Sequence, residues 1–292
     1  TSDDFWRGKG IHYRMHPDNV DVLELASGSA DPEAEGRSPV AAVLSNNHVL
    51  DWGYEGLEQT IETLGNAGLA PVGAGEDADA AAAPVAFDMV EGRRLVVFAY
   101  ASKTSGVPAA WAARPDQAGV NLLPDYGRTT LDAVVRHIQS ETRESDLVVF
   151  SVHWGGNWSY DVHEAQRRFA HALIERAGVD VVHGHSSHHV KGLEVHRDRL
   201  ILYGCGDLIT DYEGIGGHER FRPELSLLFF PSLDAETGEL ASLELVPMRL
   251  DRMRLQRADR EQATWLRDTL REHSRGVEIE RTDADTLRVT WK

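Results

Sequence analysis

Three short apolar runs punctuate the chain, Val40-Ala41-Ala42-Val43-Leu44, Leu147-Val148-Val149-Phe150-Ser151-Val152 and Val179-Asp180-Val181-Val182. Continuous apolar runs of roughly four to eight residues, bounded by polar or turn residues, read as buried strands. Before the second run, Leu131, Val134, Val135 and Ile138 recur at helical spacing over 129–141, and between the second and third, Phe169, Leu173 and Ile174 do so over 162–178. A strand, helix, strand order predicts parallel pairing through a right-handed crossover. Near the start, residues 1–22 read as loop with a short strand, and Pro17 and Asp18 precede a helix over 19–26. Residues 31–39, rich in Ala, Gly, Ser and Glu, predict an exposed connection.

After the first run, Leu57, Ile61 and Leu64 predict a helix over 56–64, ended by Gly65 and Gly68. Residues 70–75 return as a short strand, 77–83 show no period, and 84–90 with 94–100 predict a hairpin around Glu91-Gly92-Arg93. The stretch 101–127, which carries Trp111, reads as a long loop of the kind that covers a site or binds something. Segments 192–195, 199–204, 225–230 and 243–246 predict an antiparallel sheet, and the chain closes with a helix over 259–275 and a hairpin over 276–292. The fold class is α/β, with mixed β-sheets flanked by helices. One body is expected over 1–250, with 251–292 packed on it, and neither a linker nor an internal repeat divides the chain.

Of the 292 residues 41% are apolar, ample for a core. The formal charge of -17, spread along the chain, argues against nucleic acid or an anionic membrane surface as a partner. The single cysteine, Cys205, leaves no internal disulfide framework and suits a reducing, cytoplasmic setting. No apolar run reaches the roughly 18 residues of a membrane span, and no signal peptide opens the sequence. Composition does not speak to oligomeric state.

Chemistry gathers where the three strands end. In an open α/β sheet, ligands bind beyond the carboxyl ends of the strands. Asn47 and His48 follow the first run, His153 the second, and His183, His185, His188 and His189 the third. Any one of these can be an ordinary polar residue at a strand end. Three strand ends of the same character point instead to imidazoles and an amide converging on a divalent metal. Asp51 follows His48 by three residues, and Asp207 or Asp211 can serve His185 or His188. A carboxylate bonded to imidazole fixes its tautomer and raises its basicity, although Asp51 can equally cap a loop. Trp154, Trp158 and Tyr160 can line a substrate pocket, while core packing is the simpler role for each alone.

These segments resemble a known family. Ser45-Asn46-Asn47-His48-Val49-Leu50-Asp51-Trp52-Gly53, Val72-Gly73-Ala74-Gly75, Ser151-Val152-His153-Trp154-Gly155-Gly156-Asn157, Gln166 through His171, Gly184-His185-Ser186-Ser187-His188 and Leu200 through Asp207 are similar to the motifs of the CapA family of poly-γ-glutamate capsule synthesis. That family lies within the calcineurin-like metallophosphoesterases, and the similarity runs over roughly residues 5–230. The resemblance implies a calcineurin-like sandwich with Asn47, His153 and His185 as metal ligands, His48 as the acid/base residue, and Ca, Mn or Zn as the ion. Family strands that supply carboxylates would stand upstream of Thr1, so a preceding segment is expected. Ser186-Ser187 replaces the family's usual His-Pro, and Asp207 its usual Asn, which puts simple phosphoester cleavage in doubt.

With His48, Asp51, His188 and Asp207 as acid/base groups, the reading is a metal-dependent enzyme acting on a peptide. The leading expectation is Cα epimerisation of a residue in a ribosomally made, lasso-type peptide, the activity of one branch that the sequence resembles. The alternatives are a metal-dependent hydrolase of phosphoester or peptide bonds and a CapA-type accessory protein of poly-γ-glutamate synthesis.

Overall fold

In the computed structural model, which describes residues 2–26, 38–210 and 216–292, the chain divides into two units, Thr1–Asp125 and Tyr126–Lys292. Asp211 and most of the expected 31–39 connection lie outside the described residues. No shift in composition announces the boundary between the units.

The first unit begins without a strand: residues 2–16 are irregular, Pro17–Asn19 forms a single 3-10 turn, and α1 (Asp21–Ala26) follows. The first apolar run makes β1 (Ala41–Val43). Helix α2 (Gly53–Asn66) outruns its expected end at Gly65, because the left-handed turn that stops it is made by Gly68, at φ 73°. Leu57 and Leu64 are its buried residues. Strand β2 (Ala70–Val72) then pairs in parallel with β1, with Val43 opposite Val72. Gly73, at φ 89°, turns the chain into β3 (Ala74–Gly75), and a Cβ there would sit 2.7 Å from Ala99 Cβ and 2.8 Å from Ser45 Oγ. The aperiodic stretch becomes α3 (Ala78–Ala82), whose first turn is closed by Asp77 accepting from the Ala80 N–H at 2.8 Å.

The expected hairpin forms from β4 (Val85–Asp88) and β5 (Arg94–Ser102). The expected loop over 101–127 is built differently. Strand β6 (Gly119–Val120) pairs with β3, and β7 (Leu122–Leu123) runs parallel to β5. Trp111 is fully buried with Leu44, Leu50, Leu57 and Val120. The stretch is therefore core structure, pinned by burial of an indole, rather than a cover over a site.

In the second unit, α4 (Arg128–Glu141) leads into β8 (Leu147–His153), and α5 (Glu164–Ala177) into β9 (Val181–His185). The two strands pair in parallel as the strand, helix, strand order requires, and α5 packs Phe169 against Phe150. The four later segments do not form one antiparallel sheet. Strand β10 (Leu193–His196) pairs antiparallel with β11 (Arg199–Leu202), but β11 joins β9 in parallel. Leu200, Ile201 and Leu202 are all buried, as a strand covered on both faces requires.

A second sheet holds β12 (Leu225–Leu233), β13 (Leu240–Asp251), β14 (Arg254–Arg257), β15 (Val277–Arg281) and β16 (Leu287–Trp291). Helix α6 (Arg260–His273) opens with a reciprocal cap, Asp259 Oδ1 accepting from the Gln262 N–H and Gln262 Oε1 from the Asp259 N–H, both at 2.9 Å. Leu266 and Leu270 of α6 join Leu193, Leu202, Leu227, Leu245 and Val289 in one core, with Trp265 and Trp291 packed against it. Among the described residues no helix is long and apolar enough to cross a membrane.

Candidate functional site

In the second unit, β8 and β9 bring two imidazoles together. Alternation along a strand puts Ser151 and His153 on one face of β8, and His183 and His185 on one face of β9. The parallel register sets Ser151 opposite His183 and His153 opposite His185. Nδ1 of His153 lies 3.0 Å from Nδ1 of His185, and Ser151 Oγ lies 2.9 Å from His183 Nδ1. Burial pushes His185 well below the usual imidazole range, and neighbouring His153 and His183 push it the same way. Burial likewise takes His183 down to about 4. The rings are therefore neutral near pH 7, the form in which imidazole ligates a metal.

Local backbone supports that placement. Gly184 allows the Trp154 indole to lie against β9, since a Cβ there would fall 2.4 Å from Trp154 Nε1. The indole N–H donates to the Tyr203 carbonyl at 3.1 Å and the ring stacks on Tyr203. Trp154 is only 2% exposed, so it packs the interior beneath the strand end and has no surface to offer a substrate. Ser186 directly after His185 takes φ 119°, a strained value for a residue with a side chain, and its hydroxyl donates to the Gly155 carbonyl at 3.1 Å.

Beyond β9, His188 Nδ1 lies 2.7 Å from Asp207 Oδ2. The carboxylate only accepts, so it holds the proton on Nδ1 and makes Nε2 the basic nitrogen. Trp158 tilts over His188 at 5.3 Å and stacks flat on His218 at 4.1 Å. Tyr160 stacks on His273 at 4.0 Å and meets His189 edge-on. Both of these aromatic rings are half-buried. His189 itself is fully buried in the neutral Nδ1–H form: Nδ1 donates to the Val190 carbonyl and Nε2 accepts the Ser159 N–H.

The first unit holds the other pair. His48 Nδ1 lies 2.6 Å from Asp51 Oδ2, in the turn between β1 and α2. Asp51 is 1% exposed and also accepts the Tyr13 N–H at 2.9 Å. Lys9 Nζ reaches the same carboxylate, the Asn47 carbonyl and His48 Nδ1. Tyr13 meets the His48 ring edge-on at 4.5 Å. A cavity of about 290 Å³ opens beside His48, lined by Tyr13, Arg14, Asn46, Val49 and Trp52. Lys9 and Tyr13 carry no local signal of this role, because their partners stand 38 to 42 residues away.

The donor chemistry of the second unit fits a divalent ion. His185 Nε2 is buried and makes no hydrogen bond among the described residues, and a second imidazole stands beside it. Asn47 and His48 belong to the first unit and are described within it.

The model of the bacterial capsule synthesis protein family matches residues 1–212. Two probable polyglutamine synthesis accessory proteins, from two strains of Mycobacterium tuberculosis, are each 45% identical over 94% of this chain and 70% of their own length. The PGA biosynthesis protein CapA of Bacillus subtilis is 28% identical over 70% of this chain and 48% of its own length. Among solved structures, a hypothetical protein from Thermus thermophilus aligns over 76% of this chain and 74% of its own at 13% identity and a TM-score of 0.36, too loose a likeness to carry an argument. The length of the family match and the identity to the mycobacterial proteins agree with the strand-end motifs: the chain belongs to the bacterial capsule synthesis protein family.

Proposed function

We propose that this chain is an accessory component of polyglutamate-type polymer synthesis and acts through metal-assisted acid–base chemistry on a peptide-like substrate. The observation that carries the process is the 45% identity, over 94% of the chain, to relatives named as polyglutamine synthesis accessory proteins. The chemistry rests on the His188–Asp207 imidazole–carboxylate pair, at 2.7 Å, in the same unit as His153 and His185.

In this reading Asp207 keeps the proton on His188 Nδ1, so that Nε2 takes or returns a proton at the substrate. Within the first unit Asp51 fixes the His48 ring in the same way, with Lys9 beside the carboxylate. His153 and His185 would hold the divalent ion, for which imidazole nitrogen favours zinc over manganese or calcium. An ion held there would supply Lewis-acid polarisation of a carbonyl or phosphoryl oxygen. The edges that half-buried Trp158 and Tyr160 leave exposed would meet a peptide beside the His188–Asp207 pair.

The test is complementation. In a polyglutamate-producing bacterium stripped of its own family member, the chain should restore polymer, while His188→Ala and His185→Ala should not. Full restoration by both variants would leave a scaffolding role and sink the chemical one. Failure of the wild-type chain would sink the accessory role.

A second reading is Cα epimerisation of a peptide residue, for which His188, with its tautomer fixed by Asp207, would serve as the proton carrier. Incubation with a candidate peptide in heavy water separates it from hydrolysis, because only epimerisation places deuterium at Cα of an uncleaved product.

A further inference from the structure

A different donor set lies in the second unit, where α5 meets β10. Strand alternation puts Glu194 and His196 on the same side of β10, and α5 brings His171 against them. One donor atom from each of His171, Glu194 and His196 lies within 4.8 Å of the other two, the only such trio of His, Cys, Asp or Glu among the described residues. The two imidazole rings stack face to face, 3.8 Å apart and 2° from parallel.

Each member is oriented by a neighbour. Glu194 Oε2 accepts the Tyr203 hydroxyl at 2.8 Å and faces Arg167 Nε at 3.4 Å, which turns Oε1 to His171 Nε2 at 2.8 Å. His196 Nε2 donates to Glu175 Oε1 at 2.9 Å. A carboxylate behind an imidazole fixes the ring and leaves its other nitrogen with the lone pair, the arrangement that supports metal-binding histidines. The Glu194 carboxylate is nearly buried, while the His171 and His196 side chains keep 27% and 22% exposure, enough for an ion to enter from solvent.

We propose that His171, Glu194 and His196 form a second divalent-metal site, made of residues distinct from the His153/His185 pair, that takes a borderline ion of the zinc class. Two imidazole nitrogens and one carboxylate oxygen suit zinc, whereas calcium and magnesium prefer oxygen alone. Tetrahedral bonds of roughly 2.0–2.2 Å place donors about 3.3–3.6 Å apart, so the trio, within 4.8 Å, must close by up to about 1.5 Å. The soft ring torsion of histidine supplies that movement and splays the stacked rings. On binding, the Nε2 proton that His171 shares with Glu194 passes through solvent to Nδ1, and the ring stays neutral. Arg167 remains on Oε2, where its charge opposes the ion and limits affinity. The bound ion ties α5 to β10 and stabilises the folded chain.

The test uses the full chain carrying His185→Ala, so that the other pair cannot contribute. Calorimetric titration with Zn²⁺ should give one equivalent bound and a raised Tm. Addition of His196→Ala or His171→Gln should weaken binding at least tenfold and abolish the Tm rise, and the visible absorption of Co²⁺ in the site should vanish with them. No zinc bound in the His185→Ala chain, or unchanged affinity after His196→Ala, would overturn the proposal. Should His171→Gln fail to fold, His196→Ala, near the surface, decides the question.

Discussion

His48 with Asp51 and His188 with Asp207 make the same bond, Nδ1 to a carboxylate oxygen at 2.6 and 2.7 Å, in opposite surroundings. Asp51 is 1% exposed and also receives the Lys9 ammonium and the Tyr13 N–H, so three groups converge on one buried charge. Asp207 keeps a quarter of its side-chain surface, and its histidine lies under the Trp158 ring. The first pair is therefore built into the stability of its unit, while the second keeps its carboxylate partly in solvent. Burial thus separates the two carboxylates, Asp51 as a fixed frame and Asp207 as the support of a proton carrier, while the side chain of His48 keeps 29% of its surface and that of His188 19%.

The comparison can be broken by substitution. Asp51→Ala leaves the Lys9 ammonium without its buried partner, and removal of one member of a buried pair costs about 3–5 kcal/mol. Chemical denaturation should show a loss of that size, and a loss under about 1 kcal/mol would place Asp51 with Asp207 in character.

Acid should act on the second unit. Burial holds His189 down to about 4, below its unfolded value of 6.5, with Lys191 adding to the effect. Between those values the unfolded chain binds the proton that the folded chain refuses. The contribution of His189 is thus complete above pH 6.5 and falls as pH drops toward 4, by about 3 kcal/mol in all. Asp180, pushed up to about 6 by its own burial, acts in the opposite sense. The measurement is therefore the difference in pH-dependent stability between wild type and His189→Gln, and parallel curves would contradict it.

Lys9→Met keeps the aliphatic stem but removes the charge over Asp51, and should cost about 1–3 kcal/mol, the penalty of an under-satisfied buried polar group. The smallest change in stability is expected from Asp207→Asn, under about 1 kcal/mol for a partly exposed pair. That variant should nonetheless lower polymer yield or turnover about 100-fold, because the neutral amide no longer attracts the proton to His188 Nδ1 and can present an N–H there instead, which favours the other tautomer. A large stability loss with normal activity would reverse the assignment of frame and carrier.

Much of this was legible in the text of the chain, for stated reasons. Runs such as 147–152 are apolar enough to be strands in any context, and the Leu131 to Ile138 periodicity needs no partner to be read. The His48–Asp51 contact spans three residues and follows from local spacing. Helix α3 escaped because a run of alanines has no apolar face, and only the Asp77 cap marks it. The division of the later strands into two sheets escaped because β11 chooses β9 through burial on both faces, a tertiary fact. Trp111 and Trp154 resemble Trp158 in sequence, and only packing sorts two core rings from one half-buried one. Lys9 was invisible for a similar reason, since its partners are distant in the chain.

The ion is the point on which the chemical account turns. The most direct measurement is equilibrium dialysis against Mn²⁺ and Zn²⁺ with the full chain carrying His171→Ala and His196→Ala, so that the α5–β10 trio cannot contribute. One ion per chain, lost on adding His185→Ala, is the expected result. No ion taken up, or an ion that stays after His185→Ala, would contradict it.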